Sequence, residues 1–380
     1  MTSRPARHPL PDALRALAML AVLVVNAAGY LVAPWGPLLG ARSPSDSALA
    51  ATVQGLIAAL LQGKGYPMLA FLFGMGLWFA ARKADAPQAR QRALQRQKRL
   101  LNLGVLHGVL IYFGDILTMY ALVGWHLLAR LREPWHSLRR RLHRALWWAL
   151  GVTALSVFVT GYLTVDAVGA GQALVEVDPT LARAEHWTQF WRLNAGAYVV
   201  LQVGALLFFW PVLRLCMLCG VAAARSRLLT HRRWRQALRR WVRRLAPPLL
   251  LLNLGYGALY VSVETGSQRA FLVEPLGSLV GPPLAAVVVM ALALGARGGK
   301  AAWCLWLAPL GQRSLTLYVG HSLLCIGLFA GVGLGWQPGT VAMAAFSGAL
   351  WCLAVSAARA SGPGRWPLEA WLTRRAPNQG

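Results

Sequence analysis

Apolar residues in this chain fall in long blocks separated by short charged stretches. A helix rises about 1.5 Å per residue and the hydrocarbon core of a bilayer is about 30 Å thick, so a block of about 20 apolar residues predicts one crossing helix. Ten blocks are legible: Ala13 to Ala33, Ala50 to Ala81, Leu100 to Phe113, Ile116 to Leu131, Ala145 to Val165, Asn194 to Ala224, Leu245 to Val263, Leu276 to Ala296, Trp303 to Ala330 and Thr340 to Ala358. The pattern predicts an all-α, polytopic integral membrane protein with about ten transmembrane helices. It divides into an N-terminal membrane region over 1–224 and a C-terminal one over 225–378.

The intervening segments alternate in charge. Arg4 and Arg7, Arg82 to Arg99, Arg130 to Arg144, Arg225 to Arg244, Arg297 with Lys300, and Arg359 to Arg375 are basic. Arg42 balanced by Asp46, Asp166 to Glu185, Glu264 to Glu274 and Gly331 to Gly339 are acidic or nearly neutral. Under the positive-inside rule, both termini and every basic segment belong in the cytoplasm. The two strongly basic segments flanking Leu100 to Leu131 then require the chain to enter the membrane and return. The first arm, Leu100 to Phe113, is about 21 Å of helix, less than a full span. Helices 3 and 4 are therefore short or re-entrant, turning at Gly114-Asp115, where glycine permits the turn and aspartate can cap the next helix start.

Composition agrees with this class. The chain has 57% hydrophobic and 13% charged residues, and its mean hydropathy is +0.49, more apolar surface than a soluble domain hides. A net charge of +26 could indicate nucleic acid, but the basic residues sit between apolar blocks, so anionic lipid headgroups are the expected partner and nucleic acid is not. Cys216 and Cys219 form a Cys-x-x-Cys inside an apolar helix with no second pair nearby, so no metal site is expected. The chain carries no phosphate-binding loop, His-Glu-x-x-His or Gly-x-Ser-x-Gly motif.

Ionisable and polar residues at membrane depth are costly, about 3 kcal/mol each on insertion scales, and are functional candidates on that ground. His107 lies in mid-membrane and Asp115 at the turn. Asp115 either caps a helix or serves the histidine; eight residues along one helix would separate the two by about 12 Å, and a hairpin alone does not guarantee contact. Asp12 and Arg15 open the first helix as an i, i+3 pair on one face, and Asn26 sits further along it. Lys64 and Tyr66 occupy the Gln62-Gly-Lys64-Gly-Tyr66-Pro67 interruption, where Lys64 either snorkels to headgroups or binds an anion at the helix start made by Pro67. Arg313 can reach back to inner headgroups, while Tyr318 and the deeper His321 share its helix.

Taken in order, several motifs resemble one known family. These are Pro11-Asp12-Ala13-Leu14-Arg15 with Asn26, Gly63-Lys64-Gly65-Tyr66-Pro67 with Phe71-Leu72-Phe73-Gly74-Met75-Gly76, Leu106-His107, and Gly114-Asp115-Ile116-Leu117. Gly311-Gln312-Arg313-Ser314-Leu315-Thr316-Leu317-Tyr318 and Gly364-Arg365-Trp366-Pro367-Leu368-Glu369-Ala370-Trp371-Leu372 complete the set. Together they resemble the YeiB-like bacterial membrane proteins, whose C-terminal half is the domain-of-unknown-function family numbered 418.

That family is distantly similar to the heparan-alpha-glucosaminide N-acetyltransferases and the acyltransferase type 3 membrane proteins. The resemblance implies a multi-pass protein of the bacterial cytoplasmic (inner) membrane. It also implies a membrane-bound acyltransferase, carrying an acyl group from cytoplasmic acyl-CoA to an extracytoplasmic or lipid-linked glycan. Acyl-CoA would be a donor substrate, with no cofactor held. Asp12, Arg15 and Asn26 match the shared first-helix pattern, while Ala16 stands where glycine is usual. Those transferases place a catalytic histidine shortly after helix 1, but Gly29 to Gly63 contains none, so the base would be His107 or His321, with Asp115 orienting it. Substrate contacts would come from Asp12, Arg15, Asn26, Lys64, Tyr66, Arg313 and Tyr318. Two other classes stay open: a secondary transporter using the broken helices and a His107–Asp115 proton relay, and a non-catalytic scaffold.

Overall fold

The computed structural model describes residues 8–30, 47–82, 87–176, 184, 186–263, 268–296, 301–362 and 364–373. Among these it is helical, with no strand. The charge assignments that rest on Arg4, Arg7, Arg42, Asp46, Asp178, Glu185, Glu264, Arg297, Lys300, Arg374 and Arg375 lie outside the described residues.

Helix α1 (Leu10–Gly29) opens with Pro11 in its first turn, where a missing N–H costs nothing. Ser47 caps α2 (Ala48–Leu60) by accepting Ala50 N at 3.1 Å. α2 is parted from α3 (Gly65–Arg82) at Gly63, whose φ of +75° suits glycine alone at low cost. α4 (Pro87–Leu110) and α5 (Leu117–Leu128) form an antiparallel hairpin. α6 (Trp135–Glu176) is followed by α7 (Trp187–Gly204), which runs through a π-helical turn, Ala205–Phe209, into α8 (Trp210–Ser226). A left-handed Arg227 (φ 54°) ends α8 before α9 (Arg235–Ser262) and α10 (Gln268–Gly295). The chain closes with α11 (Ala302–Gly311), α12 (Ser314–Phe329), α13 (Thr340–Ala360) and the short α14 (Pro367–Leu372).

Seven helical stretches among the described residues are long and apolar enough to cross a membrane, and three shorter apolar helices join them. The division departs from the ten-block pattern in two places. Trp303 to Ala330 is not one helix: it breaks at Gln312-Arg313 into α11 and α12, because long-range partners satisfy the polar groups freed there. The arm Leu100 to Phe113 is not a separate helix either but the end of α4, whose basic half begins at Pro87. Likewise α6 starts inside the basic segment 130–144 and α9 inside 225–244. Hydropathy marks the change from water to lipid, and a helix continues across it.

α1 is buried along most of its length, with Ala13, Leu14, Ala16, Ala18 and Leu23 fully enclosed. It packs against α3, α11, α12 and α13. In lipid, association rests on close backbone approach rather than on water exclusion. A Cβ on Gly311 would sit 1.7 Å from Asp12 O, and one on Gly220 of α8 only 1.9 Å from Phe71 O of α3. These glycines set how closely the α1–α11 and α3–α8 pairs meet.

Candidate functional site

The α4–α5 hairpin builds the site. α4 ends because His107 O receives both Ile111 N (2.9 Å) and Tyr112 N (2.8 Å), closing its last turn. Five residues later the chain restarts as α5, where Asp115 Oδ2 accepts Thr118 N at 2.8 Å, a capping contact. The other carboxylate oxygen, Oδ1, lies 3.0 Å from His107 Nδ1, with both side chains wholly enclosed. Asp115 therefore does both things the sequence left open, one with each oxygen. The 12 Å expected along a single helix is removed because the turn folds α5 back over α4. Gly104, one turn before His107, makes this approach possible: a Cβ there would meet Thr118 N at 2.5 Å and Asp115 Oδ2 at 3.0 Å.

A third helix holds the hairpin. Asn194 on α7 accepts Phe113 N (2.8 Å) and donates to Gly108 O (2.7 Å) and Val109 O (2.8 Å). Tyr198 Oη pairs with Thr118 Oγ1 at 2.9 Å, and Gln202 Nε2 donates to Asp115 O at 3.0 Å. Backbone groups freed by a turn in hydrocarbon must find partners inside the protein, and α7 supplies them. These three residues were not singled out from the sequence. The signal was there: Asn194, Tyr198 and Gln202 recur every fourth residue, a polar stripe along the apolar C-terminal part of α7.

The histidine's far nitrogen has a different status. If the carboxylate accepts from a neutral imidazole, Nδ1 carries the proton and Nε2 holds the lone pair. His107 Nε2 is buried with no hydrogen-bond partner among the described residues, and the Tyr318 hydroxyl lies against the backbone of Ile116. The two rings adjoin, with centroids 4.8 Å apart, and Tyr112 closes another side at 6.4 Å. Tyr112 also stacks on Tyr30 at 4.8 Å, so the turn reaches the level of the C-terminal end of α1.

Other sequence-nominated residues lie elsewhere. Asp12 and Arg15 form their i, i+3 pair at 2.9 Å, against Gly311 O (3.4 Å from Arg15). Asn26 is half-buried further up α1. Lys64 does not snorkel: it is buried, donates from Nζ to Ala58 O at 2.9 Å, and lies 5.6 Å from the Tyr256 ring centre. The ammonium thus serves a carbonyl exposed where α2 ends, which a lysine reaching for headgroups could not do. Tyr66 packs on Phe209 at 4.9 Å, and its carbonyl accepts the hydroxyl of Tyr120. His321 is buried on α12 with Nε2 3.5 Å from Cys325 Sγ.

Arg313 also departs from expectation. Its guanidinium is buried rather than extended to headgroups, and it donates to Ala358 O, Gly362 O and Gly364 O (3.0 Å), with the Trp366 ring 5.5 Å away. Glu369 answers from α14, accepting Leu315 N (2.8 Å), Thr316 N (2.9 Å) and the Thr316 hydroxyl (2.6 Å). Arg313 thus satisfies carbonyls at the end of α13, and Glu369 caps α12. Two motifs far apart in the chain, around Gln312-Arg313-Ser314 and Trp366-Pro367-Leu368-Glu369, are halves of one latch.

Residues 223–362 match the family described as a protein of unknown function, DUF418. The chain is 25% identical over 365 residues to the uncharacterized protein YeiB of Escherichia coli, covering 91% of this chain and 89% of that one. It is 33% identical over 127 residues, 31% of each chain, to the uncharacterized protein YxaH of Bacillus subtilis. An uncharacterized 39.9 kDa protein from the amylase 3' region of Bacillus acidopullulyticus is 25% identical over 167 residues, 42% of this chain and 44% of that one.

Proposed function

For a YeiB-like membrane protein with a DUF418 region in its C-terminal part, we propose that His107 is a general base for acyl transfer within the bilayer, oriented by Asp115. The observation carrying this reading is the 3.0 Å contact between Nδ1 and Asp115 Oδ1 with the opposite nitrogen unpartnered. An orienting carboxylate fixes which nitrogen keeps the lone pair; Nε2 is enclosed in this structure, so on this reading the hairpin opens to admit the acceptor. In the step, Nε2 takes the proton of an acceptor hydroxyl as its oxygen bonds to the thioester carbonyl carbon. The carbon–sulfur bond then breaks, and the imidazolium returns the proton to the departing thiolate. On this reading the Tyr318 hydroxyl would turn from the Ile116 backbone to hydrogen-bond the acceptor or the developing oxyanion.

The donor on this reading is acyl-CoA from the cytoplasm, and the acceptor is a glycan on the far side or linked to lipid. With the basic segments cytoplasmic in a bacterial inner membrane, the hairpin turn beside Tyr30 lies toward the outer face, where such an acceptor would arrive. Transport draws less support from the same geometry. Transporter sites use carbonyls and N–H groups left open at helix breaks, whereas here Lys64, Asn194, Arg313 and Glu369 fill such groups. The test is transfer of radiolabel from acetyl-CoA to glycan by membranes carrying the wild-type chain. Transfer that disappears with His107→Gln supports the proposal, and an unchanged glycan acylation profile in a clean deletion strain overturns it.

A further inference from the structure

Away from the hairpin, α3, α6, α8, α9 and α10 enclose a cavity of about 560 Å³. Its wall is almost wholly apolar, with Phe71, Leu146, Val212, Leu279 and Val289 among the residues facing it. Leu142, Leu146, Leu215 and Cys219 also border a neighbouring recess formed with His136, Arg139, Arg140, His143 and Arg144. At a second rim, Trp135, Ser226 and Trp234 are shared with a recess containing Arg225 and Arg233. The apolar chamber therefore opens beside two groups of cations. Arg225 and Arg233 already bond to Glu133 O (2.9 Å) and Ser226 O (3.1 Å). His143 accepts Trp147 Nε1 at 3.0 Å, and Arg139, Arg140 and Arg144 are exposed on α6.

We propose that this chamber is a binding site for one acyl chain of an anionic glycerophospholipid, whose phosphate is held by Arg139, Arg140 and Arg144. Both halves of the ligand follow from the wall chemistry. An apolar chamber at membrane depth favours a hydrocarbon chain over any polar group, and arginines at its mouth complement a phosphate by bidentate hydrogen bonding and charge. Tryptophans such as Trp135 and Trp234 suit the level where chain gives way to headgroup. Charge complementarity at the mouth selects an anionic lipid over a zwitterionic one. Because α9 and α10 belong to the DUF418 match while α3 and α6 precede it and α8 straddles its start, the bound lipid would join the two parts of the chain. The site stands apart from His107 and does not depend on the acyl-transfer reading.

The test titrates the full chain in detergent with phosphatidylglycerol and with phosphatidylcholine of the same acyl chains, counting bound lipid by native mass spectrometry. Wild-type protein is expected to retain one phosphatidylglycerol about tenfold more tightly than phosphatidylcholine. The variant Arg139→Gln/Arg140→Gln/Arg144→Gln changes only exposed side chains and is expected to lose the roughly tenfold preference, while still binding either lipid weakly. Ala222→Phe, which places a ring in the chamber, is expected to lower the affinity for both lipids. Equal wild-type affinity for the two lipids would overturn the proposal. So would the same loss of preference on changing Arg239 and Arg240 on α9. If palmitoyl-CoA binds and phosphatidylglycerol does not displace it, the chamber belongs to an acyl donor and the lipid assignment fails.

Discussion

Asp115 shows how one side chain in hydrocarbon can serve two ends. Its Oδ2 starts α5 and its Oδ1 orients His107, so its substitutions separate structure from chemistry. Asp115→Asn keeps an oxygen for Thr118 N but turns an NH₂ toward His107, forcing the proton onto Nε2. Transfer activity is expected to fall about 10³–10⁴-fold with little change in Tm, measured by label transfer and by thermal unfolding in parallel. Asp115→Ala loses the cap as well and is expected to cost about 2–4 kcal/mol in stability. Gly108 provides a purely steric check. A Cβ there would lie 2.1 Å from the Tyr198 ring, so Gly108→Ala is expected to destabilise by about 1–3 kcal/mol. Tyr198→Leu, which removes the ring edge, should recover part of that loss in the double mutant.

Between elements, stability depends on side chains that finish another helix's backbone. The α11–α12 break is closed by Arg313 and Glu369 together. Glu369→Gln retains acceptor oxygen but loses the charge at the α12 start, and a loss of about 1 kcal/mol is expected. Arg313→Lys loses the fork that reaches several carbonyls at once and is expected to cost more. Limited proteolysis should then cut the segment after Ala360 faster, while cleavage elsewhere is unchanged. The α5–α6 connection adds a pH dependence. Glu133 has its carboxyl held below the usual range by the Ser137 hydroxyl at 2.8 Å, with Arg141 and Arg130 adding to this against partial burial. A lowered folded pKa stabilises above the unfolded value and loses that contribution as pH falls through the folded one. The Tm difference between wild type and Glu133→Gln is therefore expected to be largest near neutrality and to vanish in acid.

Over the whole molecule, hydropathy and charge identify most of the elements, and the break at Gly63 and the turn near Gly114-Asp115 are both legible in sequence. Partners are not. A polar residue in an apolar block announces that it is buried but not what it touches. Arg313 and Asn194 end on backbone carbonyls of distant segments, contacts that no local pattern encodes, and Lys64 turns back to a carbonyl six residues before it. The split of Trp303 to Ala330 escaped for the same reason, since the residue that caps α12 lies more than fifty positions later. Orientation is open to direct measurement. In a cysteine-free background, single cysteines at Arg140 and Arg239 are expected to react with a membrane-impermeant maleimide only in inverted vesicles. Labelling of either in intact spheroplasts would reverse the assigned topology.

The close seating of α1 on α11 bears on how the molecule is made. Arg15 meets Gly311 O across 296 positions of chain, and the backbones approach too closely there for any side chain at Gly311. At about 5–20 residues per second, a ribosome needs roughly 15–60 s between delivering one surface and delivering the other. Through that interval α1 waits without its α11 neighbour, carrying Asp12 and Arg15 at its start as an i, i+3 pair. Their i, i+3 pairing then acts as a holding state that keeps the charges matched until α11 arrives. Chains halted before Ala301 would stay in that waiting form, recognisable to membrane proteases by a face that was never covered.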